Sequence, residues 1–224
     1  MKKTFFALVV FLLTLAASHT VHAIDNNSQY VLGIHVDPIL SWFSSDNNRF
    51  SGSAANVGLN AGIEVEYKFA RRYSFLSGAA IDLRGASVSY KQDGYKLNSR
   101  YDGKIDVQSG KTLDTHIRAF SIPLALNMRA IEIGYTTFFA TAGLLVSVPF
   151  FEDAKLDGVT RRTSGMYSPL FVNYMLRLGA EYSLGGSSAI QAGIVFDGSF
   201  LNMYRTGYGA IDMYSIGLRI GFVF

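Results

Sequence analysis

Between residues 56 and 69 the chain alternates without a break. Val57, Leu59, Ala61, Ile63, Val65, Tyr67 and Phe69 fall on one side, and Asn56, Gly58, Asn60, Gly62, Glu64, Glu66 and Lys68 on the other. Neighbouring side chains of an extended strand point to opposite faces, whereas apolar positions in a helix recur every three or four residues. Period two therefore demands a sheet with two chemically opposed faces. The pattern returns near residues 29–42, 73–90, 115–129, 133–150, 169–184, 189–200 and 211–224, which makes eight strands. Their connections alternate strictly: 70–72, 130–132 and 185–188 are tight, while 42–55, 91–114, 151–168 and 201–210 are long. Short turns at one end and long loops at the other predict an antiparallel up-and-down barrel. Within 91–114, Asp93-Gly94 and Asp102-Gly103 are hairpin-turn pairs, so the flanking strands are expected to continue upward as a hairpin.

The bulk of the apolar face decides which way it points. Eight strands enclose room only for side chains or one small ligand. This face carries Tyr67, Phe69, Tyr73, Phe75, Phe120, Phe138, Tyr174, Tyr182, Phe196, Phe200, Tyr214, Phe222 and Phe224 besides its aliphatics, too much for a lipocalin-like interior. Turned outward, the same residues make a lipid-facing belt. Tyr67, Phe69, Tyr73, Tyr182 and Phe224 then mark the turn side, and Trp42, Phe50, Phe150, Phe200 and Tyr204 the loop side. The predicted fold is all-β: an eight-stranded antiparallel transmembrane β-barrel of the bacterial outer membrane over residues 24–224, with its short turns periplasmic.

Residues 1–23 carry Lys2 and Lys3, an apolar run over 5–17, and small residues at Val21 and Ala23. That order reads as a cleavable signal peptide, with cleavage after Ala23. The run is shorter than the roughly 20 residues that a membrane-spanning helix needs. The next most apolar stretch, 138–151, is broken by Thr141, Gly143, Ser147 and Pro149 and reads as a strand. Setting aside Lys2 and Lys3 leaves 18 of the 20 basic residues against 17 acidic ones, which gives no electrostatic case for a nucleic-acid partner. The lack of cysteine excludes disulfides, thiolate metal sites and a lipid-anchored cysteine. No metal or cofactor is expected.

The inner face collects Glu64, Glu66, Asp82, Glu181 and Asp197 against Lys68, Arg84, Arg129, Arg177 and Arg219, with His35, Asp37, Asn127 and Gln191 nearby. An isolated ion in a narrow, low-dielectric lumen costs several kcal/mol, so these charges must pair. A plug centred on Glu64, Glu66, Arg177, Glu181 and Arg219 is expected in the middle or lower half. Pro123 falls inside an alternating run and lacks a backbone donor, which predicts a bulge or an unpaired carbonyl. His116 and Arg118 share the parity of Phe120. They are expected to face outward at the outer rim, where lipopolysaccharide phosphates are candidate contacts.

In the last strand, Tyr214, Ile216, Leu218, Ile220, Phe222 and Phe224 oppose Ser215, Gly217, Arg219, Gly221 and Val223. This strand resembles the C-terminal signal read by the outer-membrane assembly machinery, with Ser215, Gly217, Ile220 and Phe222 at its polar, glycine and hydrophobic positions and Phe224 as the final aromatic. The resemblance implies that machinery as a partner during insertion. The run Phe120-Ser121-Ile122-Pro123-Leu124-Ala125-Leu126, the segment 73–90 with Leu83-Arg84-Gly85-Ala86, and 139–148 with Ala142-Gly143 resemble the PorT-type outer-membrane β-barrel family of Bacteroidetes. Where that family commonly continues with Lys-Tyr, this chain has Asn127-Met128. The resemblance implies a barrel, and through the founding member a link to protein secretion across the outer membrane.

Catalysis finds little support in the residues. Small barrels that deacylate lipid A use a His-x-Ser pair, but His35 is followed by Val36-Asp37 and His116 by Ile117-Arg118, while His19 and His22 lie in the signal peptide. There is neither a Gly-x-Ser-x-Gly elbow nor a His-Glu-x-x-His motif. His35 and Asp37 share a face without an evident nucleophile, so a hydrogen-bonded interior histidine is expected. The resulting expectation is a non-enzymatic barrel with a charge-plugged interior, displaying four external loops to envelope proteins or surfaces. An accessory role in secretion, a narrow solute channel and a lipid A-modifying enzyme are the alternatives.

Overall fold

The computed structural model describes residues 29–45, 50–92, 95–101, 103–163, 165–203 and 211–224. The signal peptide, Tyr204, Asp93, Gly94, Asp102 and the side chain of Phe50 lie outside the described residues. In chain order the strands are β1 (Tyr30–Ser44), β2 (Phe50–Ala70), β3 (Tyr73–Tyr90), β4 (Tyr95–Ser99), β5 (Gly103–Val107), β6 (Thr112–Ile133), β7 (Thr136–Leu156), β8 (Val159–Arg162), β9 (Phe171–Gly185), β10 (Ser188–Ser199) and β11 (Asp212–Val223). Strands β1, β2, β3, β6, β7, β9, β10 and β11 pair antiparallel in that order, and β1 also pairs with β11. The sheet thus closes into a cylinder without free edges, the form a strand protein must take in lipid. At the seam Leu32 N–H donates to the Phe224 carbonyl (3.1 Å) and Phe224 N–H to that of Leu32 (2.8 Å).

One local expectation changes and two are met in part. The turn placed at 130–132 falls instead at Gly134-Tyr135, because Gly134 takes a positive φ of 61° that a tight hairpin requires, and a register shift between Arg129 and Glu132 absorbs the extra residues. The hairpin expected within 91–114 does form, as β4 and β5, but in a two-stranded sheet separate from the flanking strands, whose own pairing ends at Ser89↔Thr112. Pro123 causes no bulge, but it does interrupt the pairing with β3, as the other expected outcome would have it. The β3–β6 ladder keeps one register from Ser77↔Leu124 to Ala80↔Ser121 while omitting the intervening pairs, and Pro123 stays opposite Leu145 of β7. Pro38 acts alike on the seam, where β1–β11 pairing passes from Val36↔Ile220 to Ile39↔Gly217.

The two faces exchange character partway up the wall. On β6, Phe120, Ile122, Leu124, Leu126 and Met128 face outward, the length of the roughly 9–11 residues a tilted spanning strand needs. Above them Asp114, His116 and Arg118 face outward while Leu113, Ile117 and Ala119 turn in. The switch coincides with a register shift between Arg118 and Ala119. Rings collect at both edges of the apolar band, with Tyr30–Tyr67, Phe69–Tyr73 and Tyr135–Tyr182 at the turn side and Trp42–Tyr214, Phe196–Tyr214 and Phe120–Phe150 at the loop side. Higher still, the cylinder is filled by an apolar core that includes Phe43, Val88, Leu113, Leu156, Phe171 and Met213. The hairpin adds Leu97 from β4 and Val107 from β5 to this core.

Candidate functional site: the ion network of the lumen

Every second residue of each spanning strand enters the lumen, and the strand registers bring polar residues from distant sequence positions into three tiers. In the lowest, Arg129 of β6 donates from Nε and Nη2 to the two oxygens of Glu181 (both 3.0 Å) and from Nη1 to Glu66 (2.9 Å). Ser74 and Asn127 donate to the same Glu66 oxygen at 2.7 and 3.2 Å, and Thr141 donates to Asn127 at 2.9 Å. Lys68 lies half-buried on the same stretch of β2.

The middle tier is built around Glu64. Arg177 Nη1 donates to it at 2.7 Å, and Arg219 contacts both its oxygens while also donating to Asp37 at 3.2 Å. Asp37 accepts or shares a proton with His35 Nδ1 at 3.0 Å, and His35 Nε2 stands 3.6 Å from Glu64. Gln191 links the tiers: its amide nitrogen donates to Glu181 at 2.8 Å and its oxygen accepts from Arg219 at 3.5 Å. Arg129 and Arg219 are thus each held by acceptors from more than one strand, whereas Arg177 rests on Glu64 and its buried Nε has no hydrogen-bond partner among the described residues.

In the upper tier Arg84 sits between Asp82 and Asp197, donating to Asp197 at 2.8 Å. Two carboxylates therefore meet one cation. Asn173 (3.0 Å) and Ser215 donate to Asp197 and provide the hydrogen bonds that a second cation would have supplied. The space between upper and middle tiers, lined by Asp37, Asn60, Arg84, Met175 and Arg177, is about 20 Å³, close to what one water needs.

The structure brings Glu64, Arg177 and Arg219 together directly and joins Glu66 to Glu181 through Arg129. It sets Asp82, Arg84 and Asp197 apart as a group of their own. Sequence reasoning placed Asp37 beside the network, whereas it is an Arg219 partner, and Ser215, read only as part of the assembly signal, donates into the upper tier. The remaining residues of that signal, Gly217, Ile220, Phe222 and Phe224, lie on the seam strand or at its end, with Ile220 paired to Val36. His116 and Arg118 do face outward above the apolar band, where His116 Nδ1 lies 3.2 Å from Asp153. Among the described residues no group of His, Asp and Glu side chains is arranged to hold a metal ion.

A closed cylinder that is apolar outside over one membrane span and ionic inside is a bacterial outer-membrane β-barrel. The chain belongs to the outer membrane protein beta-barrel domain family, whose model matches residues 25–205. Among solved structures it is similar to Neisserial surface protein A, at 13% identity over 88% of this chain and 96% of that one, with a TM-score of 0.49. It is also similar to OprG of Pseudomonas aeruginosa (13% identity, 88% and 95% covered, TM-score 0.48) and to Ail, the attachment invasion locus protein of Yersinia pestis (13% identity, 88% and 100% covered, TM-score 0.44). A comparison with curated proteins gives no sequence match.

Proposed function

We propose that this protein is a sealed, non-enzymatic scaffold: a barrel whose lumen is closed by the ion network and whose extension above the membrane presents loops to envelope or surface partners. The observation that carries this reading is the continuity of the network. Gln191 joins the lower tier to the middle one, and the space beneath the upper tier is no larger than a water. A hydrated solute has no path through side chains spaced at hydrogen-bond distance. The apolar core above the tiers is a second seal, since an ion would have to cross it without water. Against catalysis, the His35 ring meets two carboxylates, Asp37 and Glu64, and not a hydroxyl nucleophile.

Planar-bilayer recording of the refolded protein tests this directly. The expected trace is flat, and steady unitary currents from the wild type would overturn the reading. Lipid A from cells with and without the protein is expected to have the same acyl chains. The PorT-type resemblance at Ile122-Pro123-Leu124 and Leu83-Arg84-Gly85 supports a second reading, an accessory role in secretion across the outer membrane. The apolar-cored extension favours it, because a rigid platform suits docking of a secretion component. Pull-down from outer membranes with residues 91–111 intact or deleted separates a docking platform from an inert one.

A further inference from the structure

The outer wall carries a second constellation that the sealed lumen does not use. Moving up β6, the outward positions are Phe120, Arg118, His116 and Asp114, and their partners across the ladder are Val148, Phe151, Asp153 and Lys155 of β7. Arg162 of β8 lies opposite Asp153 on the other side. The guanidinium carbons of Arg118 and Arg162 stand 4.8 and 4.6 Å from the centroid of one ring, that of Phe151. Two like charges therefore converge on a single aromatic side chain. Among the described residues neither has a carboxylate within ion-pair reach: Asp153, the nearest candidate by register, is engaged by His116 at 3.2 Å.

Stacking on the ring orients both planar forks while leaving their N–H groups free to donate. The height is equally specific. Phe120 and Phe150, with ring centroids 4.6 Å apart and each about half exposed (49% and 48%), form the last outward aromatic pair below, at the edge of the apolar band. Arg118 is the next outward position above Phe120, at the level where lipid head groups begin. Asp114 and Asp153 share the wall, but Asp114 lies opposite Lys155 one pair higher.

We propose that Arg118 and Arg162, held by Phe151, form a binding site for the phosphate group of an outer-leaflet glycolipid, with His116 and Lys155 bounding it. The acyl chains lie along the apolar wall below, over Phe120, Ile122 and Leu124, and the phosphate accepts charge-assisted hydrogen bonds from both guanidinium groups. The site is built into the barrel wall and is independent of whether the lumen conducts.

The full-length protein, purified in mild detergent, is titrated with phosphorylated lipid A, with the same lipid A after phosphatase treatment, and with inorganic phosphate, and occupancy is read by native mass spectrometry. Phosphorylated lipid A is expected to bind, and the Arg118→Gln, Arg162→Gln double variant to lose about tenfold in affinity. Arg71→Gln with Arg72→Gln, exposed in the short β2–β3 turn at the opposite end of the barrel, is expected to bind as the wild type does. Heat-modifiable migration on gels verifies that each variant is folded; Phe151→Leu, which keeps both charges but removes their common support, gives a second, smaller loss. Equal binding of the dephosphorylated lipid, or undiminished binding by the folded double variant, would overturn the site. Displacement of lipid A by equimolar inorganic phosphate would reduce it to a bare anion site and overturn the glycolipid assignment.

Discussion

The spanning wall and the extension above it are made from the same strands, yet they are inside-out relative to each other. On β6 the inward residues are Asn127 and Ser121 below and Ile117 and Leu113 above, while the outward ones change from Leu124 and Phe120 to Arg118 and Asp114. The solvent outside explains the exchange. In lipid, apolar side chains lose nothing by facing out, and the lumen takes in the ionic groups, which pair there beside a small apolar cluster of Leu76, Ala125, Leu145 and Met175. Above the head groups the outside is water, so the hydrophobic effect again drives Leu113, Val88 and Met213 inward. One barrel therefore folds under two rules, with the boundary near Arg118.

The largest effect is expected in the lumen. Glu64→Ala leaves Arg177 and Arg219 facing one another without their shared acceptor, a loss of about 3–5 kcal/mol typical of a broken buried ion pair. Urea titration of the barrel in liposomes measures it. Replacing all three together, with Glu64→Leu, Arg177→Met and Arg219→Met, is expected to recover only part of that stability, since the facing cations go but buried Asp37 loses Arg219 and keeps His35 as its partner. Failure of the triple variant to recover would mean that the tiers also specify strand register.

In the extension the corresponding damage is a cavity. Leu113 is fully buried (0% exposed), and Leu113→Ala is expected to cost about 2–5 kcal/mol. Its consequence is local: hydrogen exchange should rise in β4, β5 and the upper part of β6 while amides beside Arg177 and Arg219 stay protected. Uniform exchange would show that the two halves unfold as one unit. On the outer surface the halves part again. Leu124→Arg, in the middle of the lipid-facing run, is expected to cost about 2–4 kcal/mol, whereas Asp114→Arg, ten residues earlier on the same side of the same strand, should cost about 1 kcal/mol, through the like charge of Lys155 opposite it.

How far the sequence revealed this depended on which rule was in force. Period-two alternation is loud in the spanning wall, so Glu64, Glu66, Asp82, Arg84, Arg177, Glu181, Asp197 and Arg219 could all be assigned to the lumen, where they are buried. Which charge meets which was not legible, because pairing such as Arg177 with Glu64 depends on registers across several strands. The extension was legible in part. Ile117 and Met213 fall within the strands read near 115–129 and 211–224, whereas Leu113 and Leu156 fall in the segments 91–114 and 151–168 read as loops, because apolar and polar parity are exchanged there. The parity of Phe120 followed through Arg118 and His116 reaches the outer rim, and carrying it on to Asp114 is the signal for the strand above it. The role of Phe151 and Arg162 was hidden by the register shift beside Arg118, which moves the outward parity of β7.

The smallest expected effect compares one chemistry in both surroundings. Lys111 Nζ donates to Asp157 at 2.7 Å, a geometry as good as that of Arg177 with Glu64, but both side chains are roughly half exposed, at 42% and 56%. Water and salt screen this pair, and holding two flexible side chains together costs entropy, so Lys111→Gln is expected to lower stability by at most about 1 kcal/mol. Raising the ionic strength to about 1 M, where the screening length falls to roughly 3 Å, should abolish even that difference. The same salt should leave the penalty of Glu64→Ala almost unchanged if the lumen is sealed as proposed, because ions then do not reach the buried tier. A salt-sensitive Glu64→Ala penalty would therefore count against the sealed lumen as well as against the two-environment account. Equal salt responses at the two sites would place Glu64 in contact with bulk solvent.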